Sequence, residues 1–138
     1  MAELAGIETV MLLQSADLFA HCRAEETLRI AAIAGERRFQ AGETIYEPNI
    51  RADALFCVVR GEVTVTHHDG ATRSVGPLTT FGVEEILSGR LRAGRAVAAV
   101  DSLVLTIDAE DFFDLLANNV EIVRALFRHL MDVGRRTV

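Results

Sequence analysis

The feature that most constrains this 138-residue chain is a change of hydrophobic period at two points along it. Apolar residues recur at helical spacing near the start, as Leu4, Ile7 and Met11 and then Leu28, Ile30, Ala31 and Ala34. From residue 37 the period drops to two, in the short runs 38–39, 44–46, 55–59, 63–66, 74–75 and 96–107. Turn signals separate them: Gly42, Pro48-Asn49, Arg60-Gly61, Asp69-Gly70 and Gly76-Pro77. Many short strands so closely punctuated build a sandwich or barrel, because the strands of a parallel sheet need long crossover connections between them. The expected architecture is mainly β with flanking helices: N-terminal helices over 4–35, a β-roll over 37–107 and C-terminal helices over 108–136.

Local signals sharpen that outline. Gly35 is a plausible stop for the second helix. Asp69-Gly70, between 63–67 and 72–75, is the strongest hairpin signal. A short helical piece, 84–88, lies inside the β zone between Gly82 and Gly89. Asp108 is suited to cap a helix carrying Phe112, Leu115 and Leu116 on one face. Asn118-Asn119 interrupts it, Ile122, Leu126, Leu130 and Val133 mark a further amphipathic helix, and Gly134-Arg135-Arg136 reads as its end. No internal repeat or low-complexity tract is present.

Composition removes whole classes of function. Fourteen basic against 20 acidic residues give a formal charge of −6, which argues against a general polyanion binder. All 14 cations are arginine, so Schiff-base or phosphate-loop lysine chemistry is excluded. Cys22 and Cys57 sit in apolar surroundings without metal-ligand spacing, as expected of reduced thiols in a cytoplasmic protein, although their separation does not exclude a bridge. No basic segment leads into an apolar core at the start, so no secretory signal is visible. No apolar run approaches the ~18 residues of a membrane span. No nucleophile–base constellation stands out. The acids Asp108, Glu110, Asp111 and Asp114 are spaced as a capped amphipathic helix rather than a cation loop. His21 and His129 stand alone on helical segments. A non-enzymatic module without a cofactor or metal is expected.

Three segments carry a family resemblance. Phe39-Gln40-Ala41-Gly42-Glu43-Thr44-Ile45 has an aromatic, two residues, then Gly-Glu-x-Ile. Asp53 is followed by an apolar run and Gly61-Glu62-Val63-Thr64-Val65. Phe81-Gly82 is followed by Arg92 ten residues after the glycine. Together, over nearly the whole chain, these resemble the cyclic nucleotide-binding domain family. The resemblance implies a double-stranded β-helix (jelly-roll-like β-roll) and a phosphate-binding cassette opening at Gly82. The ligand set it implies is Gly82, Val83, Glu84, Glu85, Arg92, Ala93 and Arg95. A cyclic phosphate would sit on backbone N–H groups at the start of the cassette helix, paired with Arg92. With Arg90, Arg92 and Arg95 against Glu84 and Glu85, the cassette is expected to be locally positive.

The departures are equally specific. The family's glutamate after Phe-Gly, an acceptor for a ribose hydroxyl, is Val83 here, and an unpaired buried hydroxyl costs ~1–3 kcal/mol. Glu84, about 100° further round a helix, does not substitute for it and, with Glu85, reads as a first-turn acid favourable to the helix dipole. The serine or threonine that commonly follows the arginine by three residues is Arg95. Loop positions usually glycine are Asn49, Ala52 and Leu78. Asn tolerates a left-handed backbone but Leu does not, so the Leu78 loop is expected to follow another path.

The roll also resembles metal-binding β-barrels of the cupin kind, but His67 and His68 are adjacent and face opposite sides of a strand. The chain stops at Val138, which leaves no room for a DNA-recognition helix, and Arg124, Arg128, Arg135 and Arg136 read as a solvated helix end. Both ends fall in amphipathic helices, as in a module attached to a larger protein. Two functions follow from the resemblance. One is a regulatory module sensing a small anionic ligand, cAMP or cGMP or a relative, and shifting its terminal helices to control an attached or partner protein such as a transporter, helical repeat or enzyme. It would act without DNA binding or membrane insertion, and a homodimer is compatible with it. The other is a degenerate roll that serves as a protein-interaction domain.

Overall fold

Two four-stranded antiparallel sheets form around the strands that are apolar on their inner faces. The computed structural model describes residues 6–137, with side chains described to residue 134, so the expected role of Leu4 lies outside the described residues. Helices α1 (Gly6–Ser15) and α2 (Ala24–Ala32) lead into β1 (Ala34–Phe39), β2 (Thr44–Tyr46), β3 (Ala54–Arg60), β4 (Val63–His67), β5 (Thr72–Val75) and β6 (Thr80–Phe81). The short α3 (Val83–Ser88) follows, then β7 (Gly94–Ala98), β8 (Ser102–Asp108), α4 (Ala109–Ala117) and α5 (Val120–Thr137). The sheet orders are β1-β8-β3-β6 and β2-β7-β4-β5.

The sheets enclose one core and the helices another. Between the sheets lie Tyr46, Phe56, Val65, Val75, Phe81 and Val104 with their neighbours. The outer face of the first sheet, through Leu55, Cys57, Leu105 and Ile107, packs on Leu13, Phe19, Ile30, Phe112, Ile122 and Leu126. Strand β8 is therefore buried on both faces, which explains its unbroken apolar run. The hairpin at Asp69-Gly70 forms as expected, with the Ala71 N–H donating to Asp69 Oδ1 at 2.9 Å. Asp108 caps α4 by accepting from the N–H groups of Glu110 (2.9 Å) and Asp111 (3.3 Å). Both cysteines are free, and burial pushes the Cys57 thiol up to about 12 and the Cys22 thiol to about 11. Among the described residues no helix is long and apolar enough to cross a membrane.

Several expectations are corrected. The β zone begins at Ala34, not 37, because β1 pairs with β8 over six positions from Ala34↔Ile107 to Phe39↔Ser102; Gly35 lies inside the strand. The run 96–107 is two strands in different sheets, separated by a turn at 99–101 whose Asp101 Oδ1 accepts from the Ala41 N–H at 2.9 Å. Helix α5 continues through Gly134 to Thr137; the side chains of Arg135 and Arg136 lie outside the described residues. Ile7, Met11, Leu28, Leu130 and Val133 are exposed rather than in the core. His21 is not solitary, since its Nε2 lies 3.1 Å from Asp132 Oδ2 on α5. Leu78 does adopt the left-handed conformation (φ 64), as does Asn49 (φ 65). The Leu78 N–H donates to Val58 O at 2.8 Å and its carbonyl accepts from the Asp17 N–H at 3.0 Å, which offsets a strain of ~1–2 kcal/mol.

Candidate ligand-binding site

The site is organised by a buried arginine. Arg92 lies just before β7, where its N–H donates to Ile50 O at 2.8 Å and its carbonyl accepts from the Asn49 N–H at 2.9 Å. These bonds strap the 49–51 loop to the cassette and aim the guanidinium inward, leaving Arg92 1% exposed. A buried guanidinium needs partners for its donors. Nη1 donates to Gly82 O at 2.7 Å and to Glu85 Oε1 at 3.1 Å, and Nη2 donates to Ala54 O. The guanidinium carbon lies 4.1 Å from the Tyr46 ring centroid, at the end of the Tyr46–Phe56–Phe81 cluster. Burial pushes the Tyr46 phenol above its usual range, with the Arg92 charge pulling the other way.

Gly82 is required twice. Its φ of 80 is left-handed, and a Cβ there would lie 3.0 Å from Arg92 Nη1 and 3.3 Å from Phe56 Cδ2. Its carbonyl can meet the guanidinium because no side chain intervenes. α3 then starts at Val83, one residue earlier than expected, and turns Ile86 into the helix-side core.

Glu85 does more than sit in the first turn of α3. One carboxylate oxygen pairs with Arg92, and the other accepts from the Ala93 N–H at 3.4 Å. The structure therefore brings Gly82, Glu85, Arg92 and Ala93 together. Val83 and Glu84 line the adjoining cavity, and Val83 offers it no acceptor. Arg95 is not brought to this cluster. It is on the outer face of β7, exposed, and its Nε donates to Glu47 Oε1 at 2.6 Å. Arg90 is exposed and bonded to Ser88 Oγ at 3.1 Å. The expected local positive charge is thus dispersed: Glu85 neutralises Arg92, Glu47 pairs with Arg95, and Arg90 faces solvent.

The cavity has a volume of about 250 Å³ between the cassette and the β4–β5 hairpin. Its far wall carries Val65, His67 and Arg73. Sequence reasoning passed over Tyr46 and Arg73 and gave Glu85 no link to Arg92. Arg73 had a usable signal, because hairpin register sets it opposite the inward-facing Val65. Asp17 was also missed as a brace: its Oδ1 accepts from Thr80 N (2.9 Å) and Thr80 Oγ1 (2.8 Å), tying the first helical region to the strand before Gly82.

Comparison with known proteins follows the same outline. The cyclic nucleotide-binding domain family profile matches residues 36–119. A cGMP-dependent 3′,5′-cGMP phosphodiesterase A of Dictyostelium discoideum is 25% identical over 130 residues, covering 89% of this chain and 14% of that protein. The catabolite activator protein of Thermus thermophilus superposes with a TM-score of 0.73 at 26% identity, over 88% of this chain and 60% of that one. The N-terminal domain of a transcriptional regulator from Streptomyces coelicolor A3(2) shares the fold at a TM-score of 0.76 and 24% identity, covering 91% of this chain and 94% of that one. The roll, the cassette spacing and a profile match over more than half of its length place this chain in the cyclic nucleotide-binding domain family.

Proposed function

We propose that this chain is a non-catalytic regulatory module in which an internal carboxylate, Glu85, holds the cassette arginine until a small anionic ligand competes for it. The observation that carries this reading is the 3.1 Å contact by which Glu85, which lines the 250 Å³ cavity, covers the buried Arg92 behind it. A cyclic phosphate reaching Arg92 would exchange one anion for another. The tethered carboxylate competes at a high effective concentration, so affinity is lowered without abolishing the site. Val83 lowers it further, since the missing acceptor is worth ~1–3 kcal/mol, up to ~100-fold. Releasing Glu85 would free α3, whose Ile86 shares a core with Phe112 of α4 and Ile122 and Leu126 of α5. A ligand that binds one arrangement of these helices better shifts the population toward it. The output would pass through α4 and α5 to an attached or partner protein, with residues 1–138 acting as a single unit. The phosphodiesterase relative, of which this chain spans 14%, is named as cGMP-dependent, which makes cGMP the first probe and cAMP the second.

The three hydrogen bonds that the Arg92 guanidinium already makes within the chain, together with Val83, favour a second reading, a roll that binds no cyclic nucleotide and acts through the exposed apolar residues of its helices. Calorimetric titration of cGMP and cAMP into the wild type, Val83→Glu and Arg92→Lys separates the two. The regulatory reading expects weak binding that strengthens about tenfold in Val83→Glu, by restoring the acceptor, and falls in Arg92→Lys. Silence to millimolar concentration in wild type and Val83→Glu, with both folded, supports the interaction roll.

A further inference from the structure

We propose that the His21–Asp132 contact is a proton-sensitive latch that holds the distal half of α5 against the turn between α1 and α2. The inference goes beyond the ligand reading above, from which it takes only α5 as the output element, because the latch belongs to the chain without ligand. Three observations carry it. First, the inward stripe of α5 changes character along its length. Ile122, Ala125 and Leu126 are buried, whereas the next positions on the same face, His129 and Asp132, are half-buried and polar. Apolar packing thus fastens the first half of the helix, and a polar contact meets the second. Second, His21 Nε2 lies 3.1 Å from Asp132 Oδ2, with the two side chains 36% and 39% exposed, so the contact is within hydrogen-bond reach and open to protons from solvent. Third, the turn that carries His21 is fixed. Leu18 and Phe19 are buried in the helix-side core, and Asp17 Oδ1 accepts from Thr80 N (2.9 Å) and Thr80 Oγ1 (2.8 Å). Any movement on loosening the contact therefore falls on α5.

Histidine is the side chain whose charge changes between about pH 5 and 8. In the acid half of that window an imidazolium donates to the Asp132 carboxylate and the contact is an ion pair. In the alkaline half the neutral ring keeps a hydrogen bond and the charge attraction is gone. From α5, Asp132 favours the imidazolium, while Arg124 and Arg128 on the same surface oppose it, and Arg124 lies 3.8 Å from Glu121. His129, three residues before Asp132, is a second imidazole on this face. On the other side, Arg23 and Glu25 pair with each other at 4.0 Å, and Glu26 accepts from the Arg23 N–H at 2.8 Å. The Cys22 thiol, pushed up to about 11 by burial, stays neutral throughout the window. An exposed pair shifts an equilibrium by roughly two- to fivefold. That is little against the whole fold, but it acts on a helix end, where local opening costs least. α5 is thus latched in mild acid and looser in mild alkali, which gives the module a proton as a second input.

The test is amide hydrogen exchange of the full chain, read by NMR without nucleotide from about pH 5.5 to about pH 8, with each rate divided by the intrinsic rate at that pH. In the wild type, protection of residues 127–134 should fall by roughly two- to fivefold as pH rises, in step with the His21 ring signals, while β3 and β8 stay unchanged. His21→Gln and Asp132→Asn each keep a hydrogen-bonding group and remove the charge, so both should flatten the profile. His129→Gln should retain it, and Arg128→Gln should move its midpoint to higher pH by removing an opposing charge. Protection of 127–134 that ignores pH in the wild type overturns the inference. So does a pH dependence that survives in His21→Gln or is lost in His129→Gln. No sample contains a nucleotide, so silence of cGMP and cAMP leaves the latch standing, and a flat profile leaves the cassette reading standing.

Discussion

Replacing Glu85 by alanine tests whether the Arg92 pair contributes to the fold, and its effect can be worked out from the geometry. Arg92 is 1% exposed and Glu85 14%, so the pair lies at the inner edge of the cavity rather than on the surface. Breaking a fully buried pair by removing one partner costs ~3–5 kcal/mol, because a charge is left behind. Two features reduce that here. The guanidinium keeps the Gly82 and Ala54 carbonyls and the Tyr46 ring face, and water can enter at the vacated rim. A charged hydrogen bond is worth ~1.5–3 kcal/mol, so the expected loss is about 2–3 kcal/mol. For a domain of this size that corresponds to roughly 6–12 °C in Tm.

The assay is urea and thermal unfolding of Glu85→Ala, Arg92→Met and the double variant. The double variant should be less destabilised than the sum of the singles, with a coupling of ~1–3 kcal/mol. Glu85→Gln, which keeps an acceptor and loses the charge, should fall between alanine and the wild type. Glu85→Ala within ~0.5 kcal/mol of the wild type, the range of an ordinary surface substitution, would refute the reasoning. Arg92 would then be held by its carbonyls alone, and Glu85 could not be its resident anion.

Asp17→Ala should destabilise by about 2–3 kcal/mol, because it removes the acceptor of Leu18 N (2.7 Å), Thr80 N and Thr80 Oγ1 and leaves a buried threonine unsatisfied; a lower urea midpoint at unchanged m checks it. Alkaline pH should weaken the fold from about pH 9 upward. Unfolded thiols ionise near 9, whereas burial raises Cys22 to about 11 and Cys57 to about 12, so the unfolded state releases protons first and stability falls as pH rises through that window. The Cys22→Ala/Cys57→Ala variant starts less stable but should lose less stability between pH 9 and 10.5; an equal slope in both proteins would sink this account.

Legibility in the sequence tracked how locally each feature is encoded. The hairpin at Asp69-Gly70 and the Asp108 cap are decided by neighbouring residues, and both formed as read. The break between β7 and β8 was not legible, because 96–107 contains neither glycine nor proline and only Asp101-Ser102 and Thr106 interrupt its apolar residues. Leu78 was misread for a different reason. Its steric cost was correctly judged, but its two backbone hydrogen bonds come from segments remote in sequence. In the site, Gly82 and Arg92 were singled out by the family resemblance, and the fold sets the Arg92 guanidinium 2.7 Å from the Gly82 carbonyl. Arg95 was misplaced because strand parity turns it outward, with Gly94, Ala96 and Ala98 facing in. Glu85 was recognised only as a helix-start acid, since its approach to Arg92 depends on the chain doubling back at Gly89.

Arg92 joins more of the molecule than a ligand contact requires. Its side chain holds Ala54 of β3, Gly82 at the start of the cassette and Glu85 of α3, and covers Tyr46 of β2, while its backbone anchors Asn49 and Ile50. Three of the four side-chain partners are uncharged and demand only the shape and donors of the guanidinium. Glu85 alone supplies charge. The spacing from Gly82 to Arg92 therefore serves the packing of the roll as well as an anion contact, and the ligand question reduces to which anion sits on Nη1. An incoming phosphate would leave the charge balance at Arg92 nearly unchanged, so little energy would be gained there. Under the regulatory reading, the consequence lies instead on the carboxylate side. Glu85 would lose both Arg92 and the Ala93 N–H, and the six-residue α3 would keep Ile86 and the partly buried Val83 to hold it against the helix-side core. Exchange at the arginine would thus be nearly neutral while the helix that carries its former partner is loosened, which is the condition for a weakly bound ligand to move a packed element.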